Sequence, residues 1–277
     1  MGSISTEIDF DSYKKIDAVN ASFIKRFAKC PAAAHLPMET TRNMVIGSAV
    51  HALALEGEET FLSQYTVAPN VDKRTKDGKA TWAEFQEANQ GKDLLTADEM
   101  MIVNGCVKSL KAHPLASRML KETEGRPEVT LTWEDETTGL PMEARLDRLP
   151  LPDKRTIIDL KTTSDATLKG FTRQMVNLAY DLQAAVYTNG TQACRIDCDS
   201  FIFVAVQNSA PFTVSVCAMD SEWMNWARNE VDRQMGLIKQ CRERDYWPAF
   251  EIPGHIYDLD QITSSDLLEV LDMPRYR

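Results

Sequence analysis

Residues 156–163, Thr-Ile-Ile-Asp-Leu-Lys-Thr-Thr, constrain this chain more than any other stretch. The run of β-branched and apolar residues predicts a buried strand, and side chains alternate faces along a strand. Asp159 and Lys161 therefore share one face, while Ile158 and Leu160 turn toward a core. Twelve residues upstream, Asp147 lies in a second strand-like run, 143–148. One acid, then an acid-x-Lys on the next strand, can hold Mg²⁺ and a polarised water against a phosphodiester. The same acid-x-Lys pair also suits the exposed face of an edge strand, so the surrounding pattern has to decide.

Composition permits such a site. The chain has 277 residues, 43% hydrophobic and 26% charged, which suffices for a sizeable core. Neither a Pro/Gly/Ser linker nor a repeat divides it, so a single domain over 1–277 is expected: a helical elaboration to about 125, an α/β core over about 126–245, and a tail over 246–277. The first residues lack the basic and apolar regions of a signal peptide, and no apolar run reaches about 18 residues. A cytoplasmic protein without membrane contact is the expectation. The six cysteines form no CxxC pair, and Cys194 with Cys198 is the nearest approach to one. A net charge of −10 excludes a uniformly basic surface but allows a local basic channel.

Punctuation divides the chain into helices at 13–30, 44–56, about 97–110 and 114–121, with a loop and a Trp82/Phe85 helix over 70–91. Val129, Leu131 and Trp133 alternate with polar residues, which predicts a strand that opens a three-strand meander over 128–133, 142–149 and 156–161. A helix over 166–188, stopped by Asn189-Gly190, then precedes strands at 200–206 and 212–217 and a last helix over 221–244. This order predicts an α/β fold in which helices flank a central mixed β-sheet.

For phosphodiester hydrolysis, Asp147 and Asp159 are the predicted ligands, with the Leu160 carbonyl as a third donor. Lys161 would orient and help deprotonate the attacking water, or stabilise the growing negative charge. Gln183 and Tyr187, four apart on a helix, project from one face and could bond a DNA backbone, a metal-bound water or Lys161, and Tyr180 could play the same part. Lys73, Arg74, Lys76 and Lys79 could neutralise phosphates, and Arg145 shares the Asp147 face. His35, His113 and His255 fit no pattern.

These residues resemble the PD-(D/E)xK nuclease superfamily, and within it the RecB-like and RecE-like exonucleases of the exodeoxyribonuclease VIII type. Gly47-Ser48-Ala49-Val50-His51 followed by Leu55-Glu56 is similar to that branch's GxxxH helix, and the resemblance implies that His51 joins the metal site. Glu128 occupies the position of an acidic residue on the preceding strand. Gln183-Ala184-Ala185-Val186-Tyr187 matches a QxxxY helix. Ala21 to Lys25 with Cys30-Pro31 resembles the N-terminal helix, and Tyr246-Trp247-Pro248 a C-terminal feature. Leu146 departs from the pattern, since many relatives carry proline before the aspartate.

The resemblance implies a restriction-endonuclease-like core, with Lys161, Asp159, Asp147, Glu128, Gln183 and Tyr187 catalytic. It also implies Mg²⁺, replaceable by Mn²⁺, as two ions per site. Such enzymes digest linear double-stranded DNA from its 5′ end, leaving 3′ overhangs for recombination. They form ring-shaped homotrimers or homotetramers and work with a single-strand-annealing protein in bacterial, phage or prophage settings. A Cas4-like single-strand nuclease and a non-catalytic DNA-binding module are the alternatives. Iron–sulfur clusters occur in some relatives, but four suitably spaced cysteines are lacking here.

Overall fold

A computed structural model describes residues 2–8, 10–122, 127–148, 155–198 and 200–249. A short strand β1 (Ser3–Ser5) and one turn of helix α1 (Phe10–Tyr13) precede α2 (Ala21–Lys29). The expected entry helix begins at 21 rather than 13, because the Asn20 side chain caps it by accepting from Phe23 N–H at 2.9 Å. Helix α3 (Arg42–His51), capped by Thr41, runs into a π-helical turn, Ala52–Glu56, which ends at Gly57 with φ 99°. Then follow α4 (Glu58–Gln64), β2 (Tyr65–Val67), α5 (Lys76–Ala88), β3 (Asp93–Leu95), α6 (Ala97–Ala112) and α7 (Pro114–Glu122). Strands β2 and β3 pair in parallel. These two three-residue strands and β1 are too short to leave an alternating pattern in the sequence.

The centre holds β4 (Pro127–Glu134), β5 (Pro141–Arg148), β6 (Thr156–Thr163), β7 (Ser200–Gln207) and β8 (Val214–Ala218), with α8 (Leu168–Asn177) and α9 (Tyr180–Ala193) between β6 and β7. Helix α10 (Ser221–Arg244) closes the fold, capped by Asp220. The expected meander is corrected at its third strand. β5 pairs antiparallel with β4, whose other edge takes β1, but β6 pairs in parallel with β7. Parallel pairing needs a crossover, and α8 and α9 supply it. The mixed sheet is thus two three-stranded pieces, β1-β4-β5 and β6-β7-β8, whose facing strands β5 and β6 lie side by side. The turn expected over 151–154 falls outside the described residues.

Alternation along β6 and β7 feeds two cores. Ile157, Phe201, Phe203 and Ala205 pack with α2, α8, α9 and α10, together with Val129, Leu131 and Leu146. Ile158, Leu160, Val204 and Val206 pack on the opposite side with Val45, Val50, Val103 and Leu110 of α3 and α6. The β6-β7-β8 piece is therefore covered on both faces, which explains its nearly continuous apolar sequence. Residues 157–160 and Thr163 of β6 are buried, so the Asp159 charge needs a partner.

The single helix expected over 166–188 is broken. Ala179 adopts the left-handed conformation (φ 49°, ψ 48°), which separates α8 from α9 and lets Tyr180 begin a new axis. Nor does Asn189-Gly190 stop α9, which continues to Ala193. Gly190 is there for closeness: a Cβ at this position would lie 2.7 Å from the Trp133 ring. Gly190→Val should lower stability by about 1–3 kcal/mol through overpacking. Equilibrium urea unfolding checks this, and an unchanged midpoint would show that the Trp133 ring gives way freely.

Candidate active site

The predicted residues converge where β5 and β6 part. Asp147 Oδ2 accepts from the Leu160 N–H at 3.1 Å, so a side chain fills the place of a ladder hydrogen bond. The N–H and C=O of one strand residue leave by the same edge, which turns the Leu160 carbonyl to this seam as well. His51 Nδ1 lies 3.4 Å from the same Asp147 oxygen. Helix α3 can bring His51 this close because of Gly47, one turn earlier, where a Cβ would sit 3.1 Å from Thr162 Oγ1 on β6. The spacing of Gly47 and His51 thus has a packing cause: the glycine seats the helix on the strand and the histidine reaches past its end.

Asp159 and Lys161 project on the α2/α9 side. Lys161 Nζ is 2.5 Å from Asp159 Oδ2, and its ammonium stands 4.9 Å from the centre of the Tyr180 ring. Gln183, itself buried, donates from Nε2 to Asp159 Oδ1 at 3.1 Å and also hydrogen-bonds Tyr187. Tyr187 packs against Phe201 with ring centres 6.4 Å apart. The i, i+4 spacing on α9 therefore does place both groups at the site. Tyr180 serves as an aromatic floor under Lys161.

One residue escaped the sequence reading. Lys25 of α2 donates from Nζ to Gln183 Oε1 at 3.1 Å and stands 5.3 Å from the Tyr180 ring. Its sequence signal was faint: Lys25 lies one turn after Ala21, at the edge of the face that Ala21, Ile24 and Phe27 bury.

The charges shift one another. Burial raises the Asp159 carboxyl above its ordinary range, and the Asp147 charge adds to this against the opposing pull of Lys161. Burial would raise Asp147 too, but His51 and Lys161 outweigh it and hold Asp147 below that range. Burial works to lower the pKa values of His51 and Lys161, yet the facing carboxylates raise both. Burial also pushes the Tyr187 phenol far up, so it stays a neutral donor and acceptor. Two carboxylates driven in opposite directions across one seam are characteristic of a reactive centre.

The donor set fits a hard divalent cation. Among the described residues, no three His, Cys, Asp or Glu side chains come together as a closed cage. Mg²⁺ rarely needs one, since it is held through one or two carboxylates and completes its shell with water and phosphate oxygens. Asp159 Oδ2 is buried with the Lys161 ammonium 2.5 Å away. A carboxylate oxygen has more than one lone pair, so one enclosed beside an ammonium still has acceptor capacity for a metal ion. Asp147, Asp159, His51 and the Leu160 carbonyl are the groups that would hold the ion, and it would supply Lewis-acid polarisation of the phosphate and an acidified water.

Other expected residues do not meet this cluster. Arg145 donates to the Ile8 carbonyl at 2.7 Å and to Thr130 Oγ1 at 3.3 Å, and its guanidinium faces the Tyr13 ring at 5.9 Å. It fastens the N-terminal segment to β5 rather than standing ready for a phosphate. Arg74 is tied to Asp72 by two side-chain bonds of 3.0 and 3.1 Å. Lys73 lies 3.0 Å over the Trp82 ring, in the wall of a cleft of about 650 Å³ shared with Arg42. Arg42 and His51 mark opposite ends of α3, so this cleft is one helix length from His51. Lys76 and Lys79 are exposed on the first turn of α5. Glu128 belongs to β4, but its side chain lies outside the described residues. All six cysteines are free thiols.

The face of β5 that carries Asp147 also buries Glu143, at 1% exposure. Burial raises its carboxyl to about 7, against the bond that Asn20 Nδ2 donates to Oε1 at 2.9 Å. A folded pKa above the ordinary glutamate value means that stability is whole below about 4.5 and falls as pH rises through about 7. Glu143→Gln should therefore become the more stable protein above pH 7 and lose that advantage toward pH 4. Denaturant unfolding at both pH values checks this, and a gain independent of pH would show that Glu143 is not buried neutral.

Comparison with known proteins agrees with the geometry. The family model described as "PDDEXK-like domain of unknown function (DUF3799)" matches residues 20–252. A crystal structure described as a "Putative exonuclease" from Eubacterium rectale superposes with a TM-score of 0.62 at 15% identity, covering 95% of this chain and 97% of that one. At that identity the likeness concerns the fold. No curated protein matches the chain. The match spans α2 through α10 and contains His51, Asp147, Asp159, Lys161 and Gln183, and the chain belongs to the PDDEXK-like family DUF3799.

Proposed function

We propose that this protein is a Mg²⁺-dependent exodeoxyribonuclease acting on linear double-stranded DNA. The observation that carries this reading is the Asp159 carboxylate. It is held by Gln183 at Oδ1 and by the Lys161 ammonium at Oδ2, with Asp147 and His51 across the seam. A binding module gains nothing from burying two carboxylates and a lysine together, because each charge costs several kcal/mol to desolvate. A hydrolase gains a low-dielectric site in which fixed charges act strongly on a phosphate.

In this reading Asp147, Asp159, His51 and the Leu160 carbonyl bind the metal. Lys161 places its ammonium where negative charge grows on the phosphate and where an attacking water can be oriented. Gln183 and Tyr187 hold the Asp159 side of the centre. Lys73 in the cleft wall and the exposed Lys76 and Lys79 are the candidate phosphate contacts, and Arg74 and Arg145 are not, because each already has an anionic or carbonyl partner. By family resemblance the direction is 5′→3′, leaving 3′ single strands for annealing-type recombination with a single-strand-annealing protein. A ring of three or four copies is the matching assembly. Among the described residues, no helix is long and apolar enough to cross a membrane.

The test uses linear duplex, single-stranded and covalently closed circular DNA, each with Mg²⁺ or with EDTA. Release of 5′ label from linear duplex, absent in EDTA, is expected. Asp159→Asn and Lys161→Ala should each lower the rate at least about 100-fold while the protein stays folded by circular dichroism. Cutting of closed circles would overturn the exonuclease reading, preference for single strands would favour the Cas4-like one, and near-normal rates in either variant would remove the centre from the chemistry.

A further inference from the structure

We propose that Lys25 is a positioning residue of this centre: its ammonium fixes the orientation of the Gln183 amide, and through it the Asp159 carboxylate. The two ends of a glutamine amide have nearly the same shape, so packing alone barely distinguishes its two orientations. Their chemistry differs, because the oxygen only accepts and the nitrogen only donates. Lysine has donors and no acceptor, so Lys25 Nζ at 3.1 Å selects the oxygen. The nitrogen is thereby turned to Asp159 Oδ1, also at 3.1 Å. Reversed, the amide would set its oxygen against a buried carboxylate, two acceptors without a proton between them.

The surroundings leave Lys25 little other purpose. It stands part-buried at the flank of the buried face of α2, one turn after Ala21, with its ammonium turned in to Gln183. Burial, with the Lys161 charge, pushes its ammonium down to about 8, so the group remains cationic at neutral pH. The two ammonium groups share the Tyr180 ring, at 5.3 Å for Lys25 and 4.9 Å for Lys161. They divide the work on one carboxylate: Lys161 neutralises Oδ2 directly, and Lys25 reaches Oδ1 through the amide. Asp159 cannot then turn about its Cβ–Cγ bond without breaking both contacts. A carboxylate held at both oxygens is the condition for a ligand in a fixed place.

Its consequence for rate rests on the hydrolytic reading above, and its structural content does not. The test therefore has two readouts in the full-length protein. In the metal-free protein, the side-chain amide resonances of Gln183, assigned by a Gln183→Asn control, should shift or broaden in Lys25→Met and persist in Lys25→Arg, whose guanidinium also only donates. With Mg²⁺ and linear duplex, Lys25→Met should lower kcat about 10- to 100-fold, as loss of an orienting partner does, with little change in KM. Thermal stability should hold or rise, because a buried charge gives way to an apolar chain. Lys25→Arg should recover much of the rate.

Gln183 resonances unchanged in Lys25→Met would overturn the proposal, as would a wild-type kcat in that variant. Loss of rate in proportion to lost stability would reduce Lys25 to a packing residue. Should the wild-type protein cut no DNA, the hydrolytic reading fails by itself, and the amide resonances still decide the role of Lys25.

Discussion

The bond from the Leu160 N–H to Asp147 Oδ2 is the contact around which this molecule is arranged. Had β5 and β6 joined by an ordinary ladder, their backbones would have satisfied each other and left the seam closed. Instead a carboxylate takes one ladder position, and the two sheet fragments meet through a side chain. The exchange costs little, because the amide still has its acceptor. It yields a place where a carbonyl and a carboxylate from neighbouring strands open on the same gap. The other half of the β5 edge is closed differently: Val19 pairs with Met142, accepting from Glu143 N–H at 2.9 Å and donating to the Pro141 carbonyl at 2.8 Å. One strand edge is thus sealed at one end and opened at the other.

Electrostatics then follows from enclosure. Two carboxylates, an imidazole and two ammonium groups would repel or attract weakly in water, but the cores on both sides of β6 deny them that screening. Asp147, Asp159, His51 and Lys161 are each faced by an opposite charge, and removing one of these four would leave a buried charge unmatched, whereas Lys25 meets the Gln183 amide and the Tyr180 ring. The opposite shifts of Asp147 and Asp159 come from the same source: Asp147 faces His51 and Lys161, whereas at Asp159 burial outweighs its lysine.

Much of this was legible in the sequence because strand and helix periodicities are local. Alternation over 156–161 set Asp159 and Lys161 on one face, and spacings of four set Gly47 with His51 and Gln183 with Tyr187. What was not legible depended on partners distant in the chain. Nothing near residue 161 says that β6 pairs with β7 rather than β5, since the choice is made by the α8–α9 crossover. The break at Ala179 leaves no glycine or proline as a mark. Arg145 shares the strand face of Asp147, as alternation requires, yet the Ile8 carbonyl, 137 residues away in sequence, claims it. Lys25 was visible only as a cation at the edge of an apolar stripe, and its meaning needed the position of Gln183, 158 residues later.

Distance along the chain also explains how a helix outside the β-rich core can act with precision on it. Helix α2 is fixed at its N-terminus by Asn20, which caps it and also bonds Glu143 of β5. At its other end, Trp247 stands edge-on to Phe23 and Phe27 at 6.1 and 5.9 Å, and the Pro248 carbonyl accepts from Ala32 N–H at 3.0 Å. The helix is therefore held from β5 on one side and from the segment after α10 on the other. Between these anchors Lys25 has one direction available, into the cluster. Its ammonium can orient an amide because its own backbone is not free to follow it. The Tyr246-Trp247-Pro248 motif thereby gains a physical role, since it secures the helix whose lysine steadies Asp159 through the Gln183 amide.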